Sequence, residues 1–149
     1  MRYWLIKSEP GTYSWDDFVK LGRDHWDGVR NYQARNFLQE MAEGDDVFVY
    51  HSSCKHIGVA GIVRVVTSAY PDPTQFRTDS PYYDPKSTPE KPRWQAVDMA
   101  FEKKLPRLIP LDEIKSLPGL EGLALIRRGN RLSVMPVTEE QWRIILANA

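Results

Sequence analysis

Alternation opens the chain. Tyr3, Leu5 and Lys7 point one way and Trp4, Ile6 and Ser8 the other, so residues 1–8 are predicted as a β-strand that Glu9, Pro10 and Gly11 stop. A short helix is expected from Ser14, carrying Trp15, Phe18, Val19 and Leu21 and ending at Gly22. After a loop over Trp26 to Asn31, apolar residues recur at Ala34, Phe37, Leu38, Met41 and Ala42. That is one face of an amphipathic helix, with Asn31 as its N-cap and Gly44 as its stop. Asp45 and Asp46 turn the chain into a strand from Val47 to Ser52, and the Val- and Ile-rich segment Ile57 to Thr67 reads as a long buried strand.

Residues 68–93 mix six prolines with Tyr70, Phe76, Tyr82 and Tyr83. A loop of this length is uncommon in a compact domain, and its aromatic content predicts that it is ordered and packed on the sheet. Trp94 to Leu105 alternates as a half-exposed strand, Leu111 to Ser116 is a short helix ended by Pro118 and Gly119, and Arg131 to Met135 is a last strand. Thr138 and Gln141 form a capping box, with Val137 and Trp142 as its hydrophobic staple, opening a terminal helix through Ala147. With no repeat, low-complexity tract or linker, residues 1–149 are expected to form one domain. Its class is α+β, on a curved, mainly antiparallel sheet flanked by helices.

Length and charge narrow the function. A chain of 149 residues buries roughly two-thirds or more of its unfolded surface. The single cysteine, Cys54, cannot form an internal disulfide, and no apolar run spans a bilayer. A cytoplasmic setting is therefore expected. Twenty basic and twenty acidic residues cancel, which argues against binding driven mainly by counterion release. The distribution is uneven, with Glu40, Glu43, Asp45 and Asp46 on one segment and Arg127, Arg128 and Arg131 in one loop. Any phosphate contact should be local.

The segment Trp26 to Asn36, W-D-G-V-R-N-Y-Q-A-R-N, gathers the chemistry for holding a flat polar ring. Trp26 can stack on a base, a contact worth about 1–3 kcal/mol, or it can simply cover the sheet. Asn31 and Ser8 can read the ring edge, although Asn31 serves equally as a helix cap. Arg30 and Arg35 flank a helix N-terminus that favours a phosphate; each can instead pair with Asp27, Glu9 or Asp98. Lys7 and Ser8 close the first strand with hydrogen-bonding side chains. Trp4, Trp15 and Trp142 lie on apolar faces and are assigned to the core.

Tyr50, His51, Ser52, Ser53 and Cys54 admit an enzymatic reading, but neighbours in a strand point to opposite faces, so His51 and Ser52 are poorly placed as base and nucleophile. His51, Cys54 and His56 lack the fourth ligand of a structural zinc site. A polar strand end lining a pocket explains Tyr50, His51 and Ser52 better. Arg131, next to Ser133, is the cation of the last loop that best suits a backbone phosphate. No catalytic residue, cofactor or metal is expected.

Taken in order, Y-W-L-I-K-S-E-P (3–10), Y-S-W-D-D (13–17), W-D-G-V-R-N-Y-Q-A-R-N (26–36), G-D-D-V-F-V-Y-H-S (44–52), Y-P-D-P (70–73), K-P-R-W (91–94) and R-L-S-V-M-P-V (131–137) closely resemble the EVE domain family over nearly the whole chain. The resemblance implies a PUA-like fold, a small curved β-barrel with helices similar to the YTH domains that hold a methylated adenine. It also implies a pocket lined by Ser8, Trp26, Asn31, Tyr50, His51 and Ser52 and bordered by Lys7, Arg30, Arg35 and Arg131. The expected function is non-catalytic recognition of a modified base in DNA or RNA, such as methylated or hydroxymethylated cytosine. A sensor of a free nucleobase-like ligand and a hydrolase using His51 with a nearby serine or cysteine are the alternatives.

Overall fold

Strand alternation sorts the apolar side chains into two clusters on opposite faces of one sheet. The computed structural model describes residues 2–8, 22–52, 57–127 and 132–149. Its elements are β1 (Tyr3–Ser8), β2 (Arg23–Trp26), α1 (Tyr32–Glu40), β3 (Asp46–His51), β4 (Gly58–Pro71), β5 (Gln95–Pro110), α2 (Leu111–Ser116), β6 (Val134–Val137) and α3 (Glu139–Ala147). The sheet runs β2-β5-β4-β3-β1-β6. Among the described residues only β1 and β3 pair in parallel, and the other ladders are antiparallel. Trp4 and Ile6 from β1, with Val47 and Val49 from β3, join Ala34, Leu38 and Met41 beneath α1. Leu5, Phe48 and Tyr50 face the other way and pack with Ile114, Trp142 and Ile145 under α2 and α3. Each fully buried Val, Leu, Ile, Phe or Met among them contributes roughly 1.5–3 kcal/mol.

Curvature comes from the two longest strands. The β4–β5 ladder shifts register between Val59 and Gly61, Ile62 and Val63, Val65 and Thr67, and Thr67 and Tyr70. Each break adds bend and twist. The edge strands consequently approach one another, so that Trp26 at the end of β2 and Ser133 just before β6 line the same cavity. This is the PUA-like α+β architecture expected from the sequence.

Local signals held where they were chemical. Asn31 caps α1, its side chain accepting from Ala34 N at 2.9 Å. The capping box of α3 is complete, Thr138 N donating to Gln141 Oε1 and Gln141 N to Thr138 Oγ1. Trp142 stacks on Phe48 at 3.7 Å between centroids, and Tyr3 stacks on Trp142 at 4.7 Å. Trp4 is buried, as expected. The helix expected around Trp15 and the strand start expected at Arg131 lie outside the described residues.

Other boundaries moved for tertiary reasons. α1 ends at Glu40 rather than Ala42, because the buried Asp45 carboxylate takes the Ala42 N–H at 3.0 Å and Gly44 turns with φ +94°. Trp26 ends a strand rather than sitting within a loop, since Arg23–Trp26 pairs with Ala100, Met99, Asp98 and Val97 of β5. The last strand is Val134–Val137, displaced past the expected Met135 through Pro136. Proline is tolerated there because β6 is an edge strand.

Candidate nucleic-acid interface

The segment after β2 is built around one glycine. Gly28 has φ +74°, a left-handed conformation that costs other residues energy, and it reverses the chain so that Val29 enters the core. A Cβ on Gly28 would lie 2.9 Å from the Tyr82 ring, so the ring rests directly on the glycine backbone. Gly28 N donates to the buried Asp72 carboxylate at 2.8 Å. Asp72 also accepts from Thr74 N and Thr74 Oγ1. Burial pushes its carboxyl up, but the Thr74 hydroxyl, the Gly28 and Thr74 amides and Arg30 outweigh that and hold it below its ordinary value.

Arg30 spends its whole guanidinium on this scaffold. Nε and Nη2 donate to Tyr82 O at 3.0 and 2.8 Å, Nη1 to Val29 O and Asp72 Oδ2 at 2.9 and 3.0 Å, and Nη2 also to Thr74 Oγ1 at 3.0 Å. Five hydrogen bonds match its five N–H groups. Arg30 therefore ties the Trp26 loop to the 72–82 segment, and a phosphate would have to break that tie. Among the described residues its ion-pair partner is Asp72, not Asp27 or Asp98, and Glu9 lies outside them.

Between this loop and the end of β1 lies a cavity of about 620 Å³, within the size range of small-molecule sites. Trp26 and Tyr82 supply its aromatic walls. Lys7, Ser8 and Ser133 lie along the β1 side; Asp24, His25 and Asp27 follow β2 and its turn. Lys7 N donates to Ser133 O at 2.9 Å, which holds the two chain segments together. The Trp26 Nε1 donor is buried without an acceptor among the described residues. Burial, reinforced by the Asp72 and Asp24 charges, pushes the Asp27 carboxyl up. Burial pushes the Lys7 ammonium down.

His25 belongs to a polar cluster at the cavity's edge. Its Nδ1 lies 2.5 Å from Asp98 Oδ1, to which the Tyr70 hydroxyl also donates at 2.6 Å. The hydrogen bond to Asp98 raises the imidazole above its ordinary value. Burial, then the bond to Asp98, raises the Tyr70 phenol. At Asp98 burial acts upward, and the bonds from Tyr70 and His25 reverse it to a net lowering.

Of the residues singled out in the sequence, Lys7, Ser8, Trp26 and Arg30 line this cavity. Four others do not. Asn31 is committed to capping α1. Tyr50 is 4% exposed and packs in the core, because it alternates onto the same face as Phe48. His51 and Ser52 end β3 beside Ser8, with Ser52 N donating to Ser8 O at 2.9 Å and Ser52 Oγ reaching the same oxygen at 3.5 Å. The pocket is thus walled by the β2 turn, Tyr82 and Ser133, and the Tyr50–Ser52 strand end stands outside it. Arg35 also lies outside it, donating to Arg93 O and Asn36 Oδ1. Arg131, with Ser53, Cys54 and His56 of the enzymatic and metal readings, lies outside the described residues.

Sequence reasoning passed over Tyr82, Asp24, His25, Asp27 and Ser133. Three of these lie within two residues of Trp26, and their polarity beside an indole was the available signal. Tyr82 carried none, since only the fold brings it 54 positions back onto Gly28.

Comparison with known proteins follows the same architecture. The model of the EVE domain matches residues 2–148. Human thymocyte nuclear protein 1 is 41% identical over 97% of this chain and 72% of its own length. A protein from Pseudomonas syringae of known crystal structure is 54% identical, with a TM-score of 0.95 and 98% of each chain covered. The human THYN1 protein, crystallised in complex with DNA containing 5-methylcytosine, superposes with a TM-score of 0.93 at 41% identity, covering 99% of this chain and 97% of that one. The chain belongs to the EVE domain family.

Proposed function

We propose that this protein binds DNA carrying a modified cytosine and holds that base, without reacting with it, in the cavity between Trp26 and Tyr82. The carrying observation is a cavity of about 620 Å³ with two aromatic walls and the Asp27 carboxyl group in its lining. The human THYN1 complex with 5-methylcytosine DNA supports the choice of ligand. An indole and a phenol offer faces to a planar heterocycle, and a carboxylate accepts from the exocyclic amine of cytosine. Withdrawing the base from its stack costs a few kcal/mol, less where it is already unpaired. Contact of the ring and its added carbon with Trp26 and Tyr82 offsets that cost. Binding without chemistry is supported by Ser52, whose hydroxyl is directed at the Ser8 carbonyl rather than toward a base.

The test is a titration of oligonucleotides containing cytosine, 5-methylcytosine or 5-hydroxymethylcytosine, as DNA and as RNA, against the wild type and Trp26→Ala. Preference for a modified cytosine that disappears in Trp26→Ala is the expected result. Equal affinity for every oligonucleotide with both proteins overturns the proposal. Binding of free nucleosides alone would favour the reading as a sensor of a small nucleobase-like ligand.

A further inference from the structure

From the cavity rim a column of alternating rings and guanidinium groups runs across the surface to α1. Tyr82 lies over Gly28. The Arg30 guanidinium carbon is 5.6 Å from the Tyr82 centroid and 5.3 Å from that of Trp94. Trp94 stacks on Tyr32 at 4.8 Å and 21° between planes, and Arg35 covers the Tyr32 ring at 4.9 Å. The inner members are fixed: Trp94 is buried and donates from Nε1 to Asp84 at 2.7 Å, while Arg30 is saturated. Of the outer members, Arg35 is half-buried and Tyr32 is exposed. Tyr32 is 52% exposed, although it occupies the first turn of a helix where a polar residue would serve as well.

We propose that Tyr32 and Arg35 form a second binding surface, a platform for the nucleotide that flanks the base held in the cavity. This rests on the reading of the cavity given above. Three observations commit the surface to a nucleic-acid strand. The column is continuous with the cavity rim through Tyr82 and Arg30. Its outer end is a planar guanidinium on an aromatic ring, a face on which a base stacks. Arg35 makes no ion pair with any described carboxylate, so its charge is available to a phosphate. The inner members prevent the platform from collapsing, because Arg30 and Trp94 are each anchored to buried or backbone groups. In a chain of zero net charge, this places the strand contact at one spot rather than along a basic face. The cavity would select the base, and the platform would distinguish a strand from a free nucleoside.

The experiment compares wild type, Arg35→Ala, Arg35→Lys and Tyr32→Ala, using 5-methyl-2′-deoxycytidine and a short single-stranded DNA with one central 5-methylcytosine. Wild type is expected to bind the oligonucleotide more tightly than the nucleoside. Arg35→Ala and Tyr32→Ala should lose about tenfold or more of the oligonucleotide affinity while holding the nucleoside unchanged. Arg35→Lys should keep the salt dependence but lose the stacking share of affinity, whereas Arg35→Ala should also flatten the salt slope by about 0.7. Unfolding temperatures serve as the control for folding. Unchanged oligonucleotide affinity in all three variants, or wild type binding nucleoside and oligonucleotide equally, overturns the platform and leaves the cavity reading standing. Wild type binding neither ligand overturns both.

Discussion

Arg30 Nη1 and Asp72 Oδ2 meet at 3.0 Å, with the carboxylate fully buried and the guanidinium side chain only 22% exposed. The pair joins the Trp26 turn to the segment carrying Tyr82, so both walls of the cavity depend on it. Removing one member of a buried pair leaves an uncompensated charge. Arg30→Ala should therefore destabilise the protein by about 3–5 kcal/mol in denaturant titration, and Arg30→Lys should recover only part, having three donors rather than five. The lowered Asp72 carboxyl supplies stability that is present above the ordinary value of 3.8 and lost as pH falls through its own lower value. Arg30→Ala should move that loss to higher pH.

The same pair shows where sequence reasoning reached and where it stopped. The Asn31 cap, the Thr138–Gln141 box and the two-fold alternation of β1 are decided within a few residues, and each was legible. Trp26 was legible as a ring among polar neighbours. Arg30 was not legible as a strut, because its partners Asp72, Thr74 and Tyr82 lie more than forty positions away. Tyr50 was misplaced for a related reason. Its neighbours His51 and Ser52 made the strand end look polar, but the phase of the alternation, set by Phe48, turns Tyr50 into the core.

The role proposed for Asp27 carries a cost for the free protein. Its raised carboxyl means that the folded state favours the protonated form. Ionisation thus removes stability as pH rises through the folded value, and that loss is absent below 3.8. Asp27→Asn should raise the unfolding temperature at pH 7, with the gain shrinking toward pH 3. The amide can turn to donate as well as accept. Discrimination of cytosine from thymine bases should therefore fall about tenfold in competition binding, as expected for loss of one charged acceptor.

Gly28 answers two demands that a double-mutant cycle can separate. Alanine would meet a φ of +74° and the Tyr82 ring at 2.9 Å. The conformational cost is about 1–2 kcal/mol, and the steric demand displaces Tyr82 from the cavity wall. Gly28→Ala should lower both the unfolding temperature and ligand affinity. In a Tyr82→Ala background it should still lower stability by the conformational share, yet change affinity little further. Equal affinity losses in the two backgrounds would argue against the ring contact.

Gln75 is the fully buried hub that orders the segment carrying Tyr82. Its Nε2 donates to Asp72 O and Trp94 O at 2.7 and 2.9 Å. Its Oε1 accepts from Ser87 Oγ at 2.7 Å and from Arg93 N and Trp94 N at 3.1 Å. Arg93 N has a second acceptor in Ser87 Oγ, whereas Trp94 N has Gln75 as its described acceptor. Gln75→Met fills a similar volume but strands that buried amide, which should cost about 1–3 kcal/mol. Gln75→Glu should cost more, since a carboxylate can accept from Trp94 N but faces two carbonyl oxygens it cannot bond. Hydrogen exchange at the Trp94 amide should accelerate in Gln75→Met before exchange in β1 or β3 does, because the hub orders the loop and not the sheet. Uniform acceleration across the sheet would show instead that the loop and the core unfold as one unit.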